Sequence, residues 1–379
     1  MDFRIAPLVT RVLLIIAATL LLVFVVLGWM HSNAIREEFL IPTGDAGEYP
    51  LTVQSNDAGR VVLPRTAESE RPGVWGLESE DGYAQVSTIV RIDDDVVVRG
   101  ITEADGVVSQ DDAVRFDVDA FPGDPLTAHG LGFEDFAIPS DIGPHTAWFV
   151  DGRRATWVIF VHDTGTDELG QSLRLMPRLV EQGFPVLSMT YRGDVGATPS
   201  EDGMRMWGLT EWKDLDAAIG AAQRKGAKDF VIVGSGSGAS LVSSYLHEAD
   251  DISAVRAVIY DSPVLDLEGV TARWASESGT PGPISWLGRH LTRLRFGMEW
   301  SELDQIERAE EFDVPVLLLI GDSDPVTPID EYLTFAEALG RLVVVERFVQ
   351  GRHGDLWNID VDRYLNTVEE FLLEIVGPE

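Results

Sequence analysis

The chain has no cysteine among its 379 residues. Disulfides, thiol chemistry and cysteine-ligated metal sites are therefore excluded. Lysine is nearly absent: Lys213, Lys225 and Lys228 are the only three, and the other cations are arginines. Positive charge is scarce overall, with 29 Lys and Arg against 63 Asp and Glu, a net charge of −34. A surface of that sign repels phosphate backbones and anionic lipid heads, which argues against a nucleic-acid partner. The seven histidines are scattered without the i, i+4 spacing of a metal-binding helix face, and no cofactor or metal is expected. The glycine-rich run 234–238 is not a dinucleotide loop, because Ala239 stands where G-x-G-x-x-G needs its last glycine. No internal repeat or low-complexity tract occurs.

What is present begins with hydrophobic content of 45%, ample for a large core. Val12 to Met30 is an uncharged apolar run of 19 residues, long enough to cross a bilayer core of about 30 Å as a helix. Arg4 and Arg11 precede it; Glu37 and Glu38 follow. The positive-inside rule then puts residues 1–11 in the cytoplasm and the C-terminal bulk outside, on a single-pass membrane protein. Ser32-Asn33-Ala34 resembles a signal-peptide cleavage site, but the apolar core exceeds the usual 7–15 residues, so an uncleaved anchor is expected. Residues 31–45 read as a polar connector.

Residues 46–130 read as an acidic β-rich module. Val86–Ile92 and Val96–Ile101 are rich in β-branched residues, Asp93-Asp94-Asp95 forms a turn between them, and Val114–Asp119 alternates apolar and acidic residues. Its acidic runs read as solvated turns. From Leu131 apolar strands alternate with helical periodicity. Strands are expected at Thr156–Val161, Pro185–Met189, Phe230–Val233, Val255–Tyr260, Pro315–Ile320 and Leu342–Phe348. That alternation predicts an α/β fold, a mostly parallel sheet with helices on both faces, with ligands bound at the carboxyl ends of the strands. Residues 265–312, which hold Trp274, Trp286 and Trp300, are a candidate lid over such a site, or else a helical connection with core tryptophans. As a lid they would favour a small apolar acyl or aryl ligand.

Five stretches carry a family resemblance: Trp157–His162, Thr190–Asp194, Leu209–Asp214, Asp261–Asp266 and Gly321–Val326. In this order, residues 131–376 resemble an α/β-hydrolase of the serine-hydrolase kind. More closely they are similar to membrane-anchored actinobacterial α/β-hydrolases with an acidic N-terminal module. The resemblance implies a triad in the order nucleophile, acid, histidine. It places the acid at Asp324, after one strand, and the histidine at His353, after the next. The nucleophile elbow G-x-S-x-G falls on Gly234-Ser235-Gly236-Ser237-Gly238.

Two positions depart from the family pattern. Gly236 stands where the serine belongs. The oxyanion loop, usually His-Gly, reads His162-Asp163-Thr164-Gly165, so a carboxylate is expected beside the developing oxyanion, with Asp163, Thr164 and Ser237 forming that region. Three readings follow. The protein is a weakly active or catalytically silent hydrolase fold with a binding or scaffold role; a flanking serine, Ser237 or less favourably Ser235, takes over as nucleophile in a serine-type ester or amide hydrolase; or His353 and Asp324 act on water without a nucleophile.

Overall fold

A computed structural model describes residues 5–42, 47–106, 108–164, 169–194 and 197–378. The apolar run forms helix α1, Ile5–Ile35, long and apolar enough to cross a membrane. It does not end at Met30. It continues through Ile35 into a π turn, Arg36–Leu40, with Ile35 and Leu40 fully buried. The connector expected from polarity is thus ordered structure over 31–40, because its apolar positions dock in a cluster with Val264, Leu267 and Met298.

Among the described residues the acidic module is a seven-stranded antiparallel sheet between Leu51 and Asp117. Val61, Leu63, Trp75, Leu77 and Val86 form its core. Arg99 is buried there and donates to the carbonyls of Ser69, Arg71, Gly73 and Ser87. Four acceptors compensate a cation that burial alone would penalise, and they fix the loop carrying Arg71.

Among the described residues the second sheet has eight strands: β1 Glu134–Ser140, β2 Gly143–Val150, β3 Thr156–Val161, β4 Val186–Met189, β5 Asp229–Ser235, β6 Val255–Asp261, β7 Val316–Gly321 and β8 Val343–Phe348. Their order is β8-β7-β6-β5-β3-β4-β2-β1. β3 to β8 pair in parallel; β1 and β2 are antiparallel additions at one edge. Alternate residues of each central strand feed opposite cores: Ile159, Val161 and Ile232 on one face, Val158, Phe160, Val231 and Val233 on the other. Both faces are covered, which is why these strands read as continuous apolar runs. The covering helices include α2 Trp212–Lys225, α3 Ser237–Glu248, α6 Ile329–Leu339 and α7 Val361–Val376. Between β6 and β7 lie α4 Leu267–Glu277 and α5 Gly282–Phe296. These two pack against each other, and α5 also packs lengthwise on α1.

Candidate active site

β5 passes into α3 through Gly236, whose φ of 48° and ψ of −113° lie where glycine is favoured. The outer glycines are fixed by close approach. A Cβ on Gly234 would lie 2.7 Å from Ala239 Cα, and one on Gly238 would lie 2.3 Å from the Val161 carbonyl oxygen. The apex of the turn is therefore Gly236, and Ser235 and Ser237 flank it. Ser237 is buried. Its Oγ accepts the Thr164 N–H at 3.0 Å, and it lines a small pocket with Trp207 and Leu241 rather than the cavity that holds His353. Ser235, also buried, lines that larger cavity.

Asp324 and His353 meet at the carboxyl ends of β7 and β8. His353 Nδ1 is 2.9 Å from Asp324 Oδ2. The same oxygen accepts the Tyr332 hydroxyl at 2.7 Å, and Oδ1 accepts the amides of Val326 and Thr327 at 2.7 and 3.1 Å. With both oxygens engaged, the buried carboxylate is held to one orientation, and so is the imidazole. Tyr332 carries no motif that would have marked it in the sequence.

The other ring nitrogen faces Asp163: His353 Nε2 is 3.4 Å from Asp163 Oδ2. Asp163 Oδ1 accepts the backbone N–H of Ser237 at 2.7 Å and of Thr164 at 2.7 Å. A Cβ built on Gly236 would lie 2.1 Å from Asp163 Cγ. The carboxylate thus fills the space that a side chain at Gly236 would need and takes the Ser237 amide. The sequence suggested a carboxylate beside an oxyanion position; in the structure it accepts the N–H of the residue that follows Gly236. The two departures are complementary, since only a residue without Cβ leaves room for Asp163.

The backbone of Asp163 is pinned from two sides. Gln171 Oε1 accepts its N–H at 2.8 Å, and Gln171 Nε2 donates to its carbonyl at 3.3 Å. His162 bridges the same carbonyl and Asp194 Oδ2, at 2.7 and 3.0 Å, and stacks on Tyr191. Gly165, which completes the expected oxyanion loop, lies outside the described residues.

Burial opposes charge on each of these groups, yet the ionic forms win. Hydrogen bonds and charge from Asp163 and Asp324 push His353 up to about 10. The His353 imidazolium and the Ser237 amide hold Asp163 down at about 2. Asp324 is also held low, through His353 and Tyr332. At neutral pH the centre is an imidazolium between two carboxylates.

A cavity of about 320 Å³ opens over this centre, lined by Asp163, Ser235 and His353 and by Arg71, Trp75 and Arg115 of the acidic module. The module is tied to the histidine loop. Arg71 stacks on Trp75 and donates to Asp355 Oδ2 at 2.6 Å. Asn358 Nδ2 donates to the carbonyls of Val74 and Val118, both at 2.8 Å. The residues that roof the site come from the module, where the sequence showed no chemistry. The segment 265–312 contributes none of them: Trp274 stacks on His31, Trp300 is buried in the cluster beside α1, and Trp286 is exposed. Two of its three tryptophans pack beside the C-terminal end of α1, and none lines the cavity.

With this geometry in place, known proteins give a consistent picture. A Domain of unknown function (DUF8805) matches residues 52–117, the span of the antiparallel sheet. No curated protein matches in sequence. Among solved structures, a Pyrococcus furiosus esterase, Pf2001, is similar over 68% of this chain and 96% of its own, at 19% identity and TM-score 0.54. A Mycobacterium tuberculosis puromycin-hydrolyzing peptidase is similar over 90% of this chain and 57% of its own, at 19% identity and TM-score 0.56. A puromycin hydrolase is similar over 86% and 47%, at 18% identity and TM-score 0.54. The chain has the α/β-hydrolase fold. It spans about half the length of the two puromycin-cleaving proteins, and identities this low establish the fold alone.

Proposed function

We infer that this α/β-hydrolase-fold protein is anchored by α1, with its domains outside the cytoplasm, and that the serine route to hydrolysis is closed. The role that remains is ligand binding or scaffolding. The observation that carries this reading is the Asp163 carboxylate in the space of the nucleophile side chain, holding the Ser237 amide. A nucleophilic serine needs an unprotonated imidazole within reach and a free oxyanion hole. Here the imidazole is protonated, Ser237 Oγ is turned to Thr164, and the amide is taken. The cavity is lined by Arg71, Arg115 and Arg174 together with Asp117, Asp119 and Asp163, which favours a polar ligand group over the purely apolar one suggested by the tryptophans. The test is a fluorophosphonate probe on the full-length protein in detergent micelles. No labelling is expected. Stoichiometric labelling lost in Ser237→Ala would reinstate serine catalysis.

A second reading is favoured by the way Asp163 is held. One oxygen lies on two backbone amides, and the other faces His353. A carboxylate so placed is suited to attack saturated carbon. Oδ2 would form an alkyl ester while the leaving group departs as an anion with its bonding electrons. The ester is uncharged, so His353 loses one of the carboxylates that raise its pKa, gives its proton to water and becomes a base. It would then deprotonate water for attack on Cγ, with the amides of Thr164 and Ser237 receiving the oxyanion. Collapse returns the carboxylate and releases an alcohol. Incorporation of ¹⁸O from labelled water into the Asp163 side chain during turnover of alkyl halides or sulfonates would establish this route. Absence of both turnover and label leaves the binding role.

A further inference from the structure

We propose that the tip of the α4–α5 hairpin, residues 278–288, is a second membrane-inserted element, embedded beside α1 in the leaflet at the C-terminal end of that helix. The proposal rests on α1 spanning a bilayer, and it adds a structural consequence that the anchor alone does not carry. α5 runs parallel to α1 with an almost constant offset. A Cβ on Gly28 would lie 2.5 Å from Leu287, and one on Gly288 would lie 2.4 Å from His31. Thr292 Oγ1 donates to Ser32 Oγ at 3.1 Å, and the Arg36 guanidinium lies over the Phe296 ring. Glycine on each helix lets the backbones approach closely, as helices do within membranes.

This register has a consequence for depth. Gly28 lies inside the apolar run that ends at Met30, so Leu287 lies below that end too. At 1.5 Å per residue, Gly282 lies roughly 10 Å below it. If α1 is in lipid, the first half of α5 must be as well. Its composition agrees. Residues 278–288 read Ser-Gly-Thr-Pro-Gly-Pro-Ile-Ser-Trp-Leu-Gly, eleven residues without a charge in a chain that is 24% charged. The next turns hold Arg289, His290, Arg293 and Arg295 and no acid, a local reversal of the chain's sign suited to headgroup depth.

The tryptophans mark the same boundary. Of the ten in the chain, Trp29 at 48% and Trp286 at 57% are the two that remain exposed. They lie on the two facing helices, within about a turn of each other by the register. Tryptophan is enriched where membrane meets water. Arg295 lies over the Trp29 ring at 3.6 Å and donates to Asn33 Oδ1 at 2.7 Å, tying the upper part of α5 to α1. Two elements gripping one leaflet, with α5 packed along α1, fix the orientation of the domain on the bilayer.

The absence of native cysteine makes the test clean. Full-length Leu20→Cys, Trp286→Cys, Leu294→Cys and Leu126→Cys, each carrying one environment-sensitive fluorophore, are reconstituted into phosphatidylcholine–phosphatidylglycerol vesicles. All four positions are exposed, so labelling does not require unfolding, and circular dichroism checks each variant. Labels at 20 and 286 should lose most of their emission to doxyl-labelled lipid and resist aqueous iodide. Labels at 294 and 126 should do the reverse, although Leu294 is apolar and on the same helix. Iodide quenching at 286 with lipid quenching at 20 would overturn the proposal and leave the anchor standing. Iodide quenching at both would overturn the anchor reading together with it.

Discussion

The two halves of the candidate site were built to different standards of departure. In the acid–histidine half, both oxygens of Asp324 are engaged, by His353 and Tyr332 on one and by backbone amides on the other. The elbow half has no side chain at Gly236 and holds a carboxylate from a loop over 70 residues away in sequence. The difference teaches that the second half is packed, not vacant. Asp163 fills the space beside Gly236, accepts from two amides and makes a second ion pair with the histidine. The fold keeps its elbow and its imidazole, and uses them to hold a carboxylate.

The sharpest way to break this comparison is to remove the retained acid. Asp324→Ala should cost about 3–5 kcal/mol of stability, as expected when one member of a buried charged pair is lost, read by urea denaturation of the full-length protein in micelles. A loss no larger than that of an exposed aspartate would mean that the acid–histidine half is not structurally intact.

Next in size is Gly236→Ser. Its Cβ would meet Asp163 Cγ at 2.1 Å, at a positive φ, so overpacking should cost about 1–3 kcal/mol. Adding Asp163→Gly should recover much of that loss. If the two changes are simply additive, the side chains do not compete for one space. The double variant is also the one to assay on small aryl esters, because it restores a hydroxyl and frees the Ser237 amide together.

A third measurement concerns charge. The His353 imidazole should titrate near 10 by NMR, and Asp163→Asn should lower that midpoint, because one of its two carboxylates is gone. The sign for stability follows. A histidine whose folded pKa is raised contributes fully below its ordinary value near 6.5 and loses that contribution as pH rises toward 10. Asp163, held low, contributes above the ordinary aspartate value and loses it as pH falls toward 2. The native protein should therefore lose stability between about pH 6.5 and 10, and Asp163→Asn should flatten that limb. An unchanged limb would separate Asp163 from the imidazolium.

Smallest is Ser237→Ala. It removes one acceptor for the Thr164 N–H, which Asp163 Oδ1 also accepts, so a cost of about 1 kcal/mol or less is expected. A large loss of a measured activity in this variant would instead make Ser237 functional.

Much of the fold was legible because its strands are buried on both sides. The six apolar segments from Thr156 to Phe348 fall on β3 to β8, usually within a residue or two. β1 and β2 were missed: Glu134–Ser140 and Gly143–Val150 carry acidic, proline and glycine residues, which an edge position tolerates and which blur the alternation. The helical order of 31–40 is hidden in the sequence because Ile35 and Leu40 are isolated apolar residues in a polar stretch, and their partners on α4 and near α5 lie over 200 residues away. Asp163 stood out in the sequence by its chemistry, but Gln171, which pins it, carries no pattern.

The sequence alone determined the apolar helix, the parallel sheet and the glycine at the elbow, because burial on one face or both writes itself as local periodicity and a strained turn excludes side chains. Three things were decided only by tertiary structure: that the acidic module roofs the site, that α5 lies along α1 instead of over the cavity, and that Asp163 occupies the space beside Gly236. Each depends on contacts between distant segments whose individual residues look ordinary, and such contacts are set by how whole layers pack, not by neighbours along the chain.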